Sequence, residues 1–130
     1  MRTATPGSAV VDASVAAAIA FGEPNAELAL ELVSDVNLFA PTLLHYELCN
    51  VARKKAARSP GQLSSITQGL IGALDMDVEP ITPSHAETLR LALETGLSTY
   101  DASYLFVSLM LDAPLVTFDN RLQQAHDALA

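Results

Sequence analysis

Short apolar runs alternate along this chain with longer segments in which apolar residues recur at helical spacing. Ser8 to Val11 is a β-branched run that stops at Asp12, and Ser14 to Phe21 turns Ala-rich, which favours helix over strand. Gly22-Glu23-Pro24 breaks that helix and opens a second, with Pro24 in the first turn and Leu28, Leu32 and Val33 on one face. Asn37 to Ala40 predicts a second strand closed by Pro41. From Thr42 to about Arg58, Leu44, Leu48, Val51 and Ala52 form the buried stripe of a helix that Ser59-Pro60-Gly61 ends. A helix over about Gln62 to Leu74 and a strand over Val78 to Ile81 follow. Pro83 opens a helix that Thr95-Gly96 closes with a Gly cap. The last third predicts a helix from about Thr99 to Leu111, a strand over Leu115 to Phe118 and a helix from about Asn120 to Leu129.

This order specifies an α/β fold: a short central parallel sheet of about four strands, flanked by helices on both faces. In such sheets ligands bind at the carboxyl ends of the strands. The 130 residues suit one domain, 1–130, with no repeat or linker to divide it and with Met1 to Gly7 as a loose, Pro/Gly-punctuated lead-in. A composition 50% hydrophobic and 17% charged excludes a disordered or fibrous chain. The apolar stretch from Ala9 to Phe21 is interrupted by Asp12, and no window approaches the roughly 18 uninterrupted apolar residues of a membrane span. A soluble, cytoplasmic protein is expected. The single Cys49 fits a reducing compartment and reads as a buried small residue.

Charge complicates the picture. Asp and Glu number 15 against 7 Lys and Arg, a net charge of -8, which taken alone argues against nucleic acid and membranes. Four of the acids are oddly placed. Asp12 follows the first predicted strand and Asp119 the last, so both open onto the same sheet edge. Glu47 lies beside Leu44, Leu48 and Val51, and Asp101 occupies the first turn of the helix that continues through Ala102, Leu105, Phe106 and Leu109. Carboxylates beside apolar residues are costly unless a cation partners them, and a divalent metal is the natural partner here.

Each acid also has an innocent reading. Asp12 and Asp119 suit helix N-caps, Ser98 to Asp101 is a variant capping box, and Glu47 fits a half-exposed helix flank. His45, His85 and His126 stand at no metal-ligand spacing and read as surface or packing residues. No Gly-Lys-Ser/Thr phosphate loop is present. Arg53, Lys54, Lys55 and Arg58, four of the seven basic residues, fall within six positions after Glu47. They suit the negative end of a helix dipole, or a phosphate backbone beside an acidic metal site.

Val10-Val11-Asp12-Ala13-Ser14, Pro41 to Asn50, Tyr100-Asp101-Ala102-Ser103-Tyr104 and Ala113 to Asp119 resemble, in order, the successive blocks of the PIN-domain ribonucleases. They are similar in particular to the toxin component of VapBC toxin-antitoxin pairs. The resemblance implies a PIN-like α/β/α sandwich and a Mg²⁺- or Mn²⁺-dependent endoribonuclease with Asp12, Glu47, Asp101 and Asp119 in its four acidic positions. Asp12 and Asp101 would hold the principal metal, with Glu47 and Asp119 completing the site or orienting water. Ser14, Asn50 and Thr117 match supporting polar positions, and Arg53, Lys54, Lys55 and Arg58 would bind RNA. A homodimer and a VapB-like antitoxin partner are implied, with no membrane association. The lead-in before the first strand is longer than is usual in the family. Two other readings are a PIN-like binding or regulatory module whose acids only cap helices, and a metal-dependent phosphatase acting on small phosphoesters.

Overall fold

A computed structural model describes residues 7–130, so most of the sequence lead-in, Met1 to Pro6, lies outside the described residues. The elements run β1 (Ser8–Val11), α1 (Ala13–Ala20), α2 (Ala26–Leu32), β2 (Asn37–Pro41), α3 (Leu44–Arg58), a 3₁₀ turn (Pro60–Gln62), α4 (Leu63–Leu74), β3 (Val78–Ile81), α5 (His85–Thr95), α6 (Thr99–Leu111), β4 (Leu115–Val116) and α7 (Asn120–Leu129). All three strand pairings are parallel, in the order β3-β2-β1-β4. Val10 at the centre is flanked by Phe39 on β2 and Leu115 on β4.

The chain builds outward from β1 to β2 to β3, then returns to place β4 on the other side of β1. Contacts divide the helices accordingly into α1 to α4 and α5 to α7. With right-handed crossovers, one group covers each face, as the alternating sequence pattern requires. Val10, Val11, Val15, Tyr104, Leu105 and Leu122 are fully buried at the centre.

Local differences from the sequence expectation have physical causes. α2 starts at Ala26 because Pro24 is held in a turn, closed by the Ala26 N–H donating to Glu23 O at 2.9 Å. α5 starts after Ser84, whose hydroxyl accepts from Glu87 N at 3.3 Å, so Pro83 stays outside the helix. Cys49, expected buried, is exposed. It lies one residue beyond Leu48 on α3, about 100° around the helix from the buried Leu44, Leu48 and Ala52.

Two glycines of α4 separate packing from propensity. A Cβ on Gly69 would stand 2.7 Å from the carbonyl oxygen of Ala20, so the close approach of α4 to α1 requires glycine there. A Cβ on Gly72 would meet nothing within 4 Å. Urea unfolding should therefore show Gly72→Ala stabilised by about 0.5–1 kcal/mol and Gly69→Ala destabilised by about 1–3 kcal/mol. Equal shifts of the same sign would refute the close contact.

Candidate active site

The strand order reverses between β1 and β4, and the acids gather at the carboxyl ends of these strands. Asp12 follows β1 directly and caps α1, its Oδ1 accepting from Val15 N at 3.2 Å. Glu47 sits in the first turn of α3, just past the end of β2. Asp119 caps α7, its Oδ1 accepting from Arg121 N at 2.9 Å and Leu122 N at 3.2 Å. Asp101 lies in the first turn of α6, where its N–H donates to Ser98 Oγ at 3.1 Å. The helix-capping readings of Asp12 and Asp119 are thus correct as geometry, and both caps stand where a ligand would approach.

Asp12 is only 6% exposed and is held from several sides. Ser14 Oγ donates to Oδ1 at 2.7 Å, and Thr117 Oγ1 donates to Oδ2 at 2.5 Å. Each of these hydroxyl oxygens also accepts a hydrogen bond from the loop after β4: Phe118 N donates to Ser14 Oγ at 3.0 Å, and Asp119 N donates to Thr117 Oγ1 at 2.9 Å. This stitch explains why β4 ends at Val116 and not at Phe118, since the next residues turn aside to serve Asp12.

Electrostatics link the four acids. Burial raises the carboxyl pKa of Asp12 despite the hydrogen bonds from Thr117, Ser14 and Val15, which favour the anion. Burial also raises Glu47, as do the negative charges of Asp101 and Asp12, against a hydrogen bond from Tyr104. Asp101 is raised by burial and by the charges of Asp119 and Asp12, while Ser98 and Arg121 pull the other way. A helix N-terminus favours an anion by only about 0.3–1 kcal/mol at an exposed site. Here desolvation and mutual repulsion outweigh it.

Tyr104 was not singled out by sequence reasoning. Its hydroxyl donates to Glu47 Oε1 at 2.6 Å, joining α6 to α3, and burial with the nearby acids pushes the phenol pKa far up, keeping it protonated. The available signal was its position three residues after Asp101, which places both on one face of α6. Tyr46 and Tyr100 were also passed over, although each directly precedes an acid of the site. Both line a groove of about 400 Å³ with Ala13, Leu43, Glu47, Asn50, Val51 and Lys54.

The remaining predicted residues divide. Ser14 and Thr117 hold Asp12. Asn50 is exposed in the groove, where its Oδ1 accepts from Arg53 Nε at 3.4 Å. Of the basic cluster, only Lys54 lines that groove. Lys55 pairs with Glu23 at 2.6 Å and lies 5.6 Å from the Phe21 ring centroid, beyond the end of α1 opposite Asp12. Arg58 lines a separate cavity of about 450 Å³ there, with Phe21 and Lys55.

The donor set fits a hard divalent cation, because it consists of carboxylate oxygens without His or Cys. Among the described residues, no three His, Cys, Asp or Glu side chains are gathered closely enough to hold a metal ion by themselves, so any such ion would also need water or substrate oxygens. Among the described residues, no helix is long and apolar enough to cross a membrane.

Comparison with known proteins places these features in context. A PIN domain family model matches residues 9–127. Ribonuclease VapC3 of Pyrobaculum aerophilum is 31% identical over 125 residues, covering 92% of this chain and 95% of that protein. The crystal structure of PAE2754 from Pyrobaculum aerophilum superposes with a TM-score of 0.73 at 27% identity, over 92% of this chain and 86% of the other.

Proposed function

The chain belongs to the PIN-domain family, and from that premise we propose that it is a Mg²⁺- or Mn²⁺-dependent endoribonuclease, the toxin of a toxin-antitoxin pair. The observation that carries the reading is the gathering of four acids at the strand-order reversal, where the charges of Asp119 and Asp12 act on Asp101 and those of Asp101 and Asp12 act on Glu47. Similarity to Ribonuclease VapC3 over nearly the whole chain supports RNA as the substrate.

A divalent ion bound here would neutralise charge on the scissile phosphate and lower the pKa of a bound water. The chain's own residues prepare for this. Ser14, Thr117 and Val15 fix the Asp12 carboxylate in one orientation. Asp101 and Asp12 would be the principal ligands of such an ion. Tyr104 holds one oxygen of Glu47, leaving the other free to accept from the attacking water. Asp119 uses Oδ1 to cap α7, so its Oδ2 can face the ion or the water. An antitoxin that inserted an Arg among these acids would satisfy them as a metal does, and a basic partner suits the net charge of -8. The same reading extends to a cytoplasmic location and a homodimer, the state usual for toxins of this family.

Purified protein should cleave RNA with Mg²⁺ or Mn²⁺, lose the activity in EDTA, and regain it on adding either ion. Cleavage that survives EDTA would overturn the metal assignment. Hydrolysis of small phosphoesters with no cleavage of RNA would favour a phosphatase.

Tyr104 gives a finer test. Its hydrogen bond favours the Glu47 anion, so Tyr104→Phe should raise the Glu47 pKa further. If cleavage needs ionised Glu47, the acid limb of the pH-rate profile should move to higher pH, while the loss of a hydrogen bond to a charged group costs about 1.5–3 kcal/mol of stability. An unmoved acid limb would remove Glu47 from the reaction.

A further inference from the structure

Two of the three tyrosines are exposed on the rim of the site: Tyr46 is 81% and Tyr100 is 64% exposed. Tyrosine usually buries much of its ring, and this chain has no tryptophan and only 5% aromatic residues. Core packing does not explain their position. Tyr46 precedes Glu47 on α3, and Tyr100 precedes Asp101 on α6. Successive helical residues point about 100° apart, so each ring stands beside an acid without blocking it.

Both rings line the same groove, with Glu47 in it and with Asn50 and the exposed Lys54 one and two turns further along α3. The surface therefore combines aromatic faces, an amide and a cation beside the acids. An unpaired nucleotide needs such a set: a π-face for the base, a polar group for its edge and a positive charge for its phosphate. A paired base stacks within its own helix and presents no free face to the rings.

We propose that Tyr46 and Tyr100 form a base-stacking platform that sets an unpaired nucleotide beside Glu47, with Lys54 holding the adjoining phosphate. The proposal rests on the ribonuclease reading and adds to it the residues that hold the base. The competing occupant of this groove is a polypeptide partner, which would use the same rings as apolar contacts.

The test measures binding of the full-length protein in EDTA to a short fluorescein-labelled RNA, single-stranded or annealed to its complement. Tyr46→Ala and Tyr100→Ala should each weaken single-strand binding by about 5- to 150-fold, the range typical of losing one stacked base, and should change duplex binding little. Tyr46→Phe should bind much as the parent does, whereas Tyr46→Leu, which keeps an apolar side chain but no π-face, should behave as Tyr46→Ala. Because the protein lacks tryptophan, its intrinsic emission comes from tyrosine and should be quenched by single-stranded RNA. In Tyr46→Phe/Tyr100→Phe that quenching should largely disappear while binding remains, since only buried Tyr104 is left.

Alanine variants that bind and cleave RNA as the parent does would overturn the platform while leaving the nuclease reading intact. Tyr46→Leu binding as Tyr46→Phe would equally overturn stacking. A parent protein that neither binds nor cleaves RNA would overturn the nuclease reading itself.

Discussion

Asp12→Asn is expected to lower RNA cleavage by about 10²-fold or more, since even the outer partners of metal ligands typically contribute about 10- to 100-fold and Asp12 is itself a proposed ligand, while leaving the fold in place. Asn is as good an N-cap as Asp, so Val15 N keeps its acceptor, and the amide oxygen can still receive Ser14 Oγ. The amide NH₂ would instead meet Thr117 Oγ1, whose second lone pair can accept it when the Thr proton turns away. Asp12→Ala removes the cap as well and leaves two hydroxyls without their acceptor. It should cost about 0.5–2 kcal/mol for the cap, with a further loss from the orphaned Ser14 and Thr117. Melting curves and cleavage rates of the pair then separate the two roles of Asp12. Full activity in Asp12→Asn would sink the nuclease assignment of this residue, whereas an unfolded Asp12→Asn would make the role structural.

The second large effect has the opposite sign for stability. Asp101→Asn should abolish or strongly reduce cleavage and yet melt higher than the parent at neutral pH when no divalent ion is present. Burial, followed by the charges of Asp119 and Asp12, holds the Asp101 pKa above the usual aspartate value of 3.8 even against the pull of Ser98 and Arg121. In the folded state the group therefore binds its proton more tightly than in the unfolded state. By linkage, its contribution to stability is most favourable below the unfolded value and is lost as pH rises through the folded one. The two proteins should accordingly have similar melting temperatures near pH 4 and diverge upward in favour of Asp101→Asn, by roughly 3–5 °C for each kcal/mol of repulsion removed in a domain of this size. Mn²⁺ should narrow the gap by stabilising the parent, by about 2.7 kcal/mol at a concentration 100 times its Kd. A variant less stable than the parent at neutral pH would show that the capping role of Asp101 outweighs its electrostatic cost.

The sequence pattern carried the fold well because each element declares itself locally. The Ala-rich run of α1, the Leu44/Leu48/Ala52 stripe of α3 and Ser98 before α6 each act within a few residues. The acids were legible for the same reason, as charges beside apolar residues or at strand ends. What escaped depends on partners brought together only by folding. Tyr104 reads as another large core side chain until α6 meets α3 and its hydroxyl finds Glu47, 57 positions away. The fate of Lys55 turns on Glu23, beyond the far end of α1, so proximity to Glu47 in sequence misplaced it relative to the site. Cys49 was misread because composition describes the average cysteine, whereas its exposure follows from its angle around α3.

The hydrogen bonds from Thr117 to Asp12 and from Phe118 to Ser14 span 105 and 104 positions. During synthesis β1, β2 and the helices between them leave the ribosome long before Thr117 does, so Asp12 waits without its second anchor until Thr117 emerges. β4, which completes the pairing of β1, arrives equally late. A nascent chain thus carries all but one of the acids while the site is still unassembled. Assembly of the Asp12 site therefore waits on residues 104 and 105 positions downstream of the groups they bind.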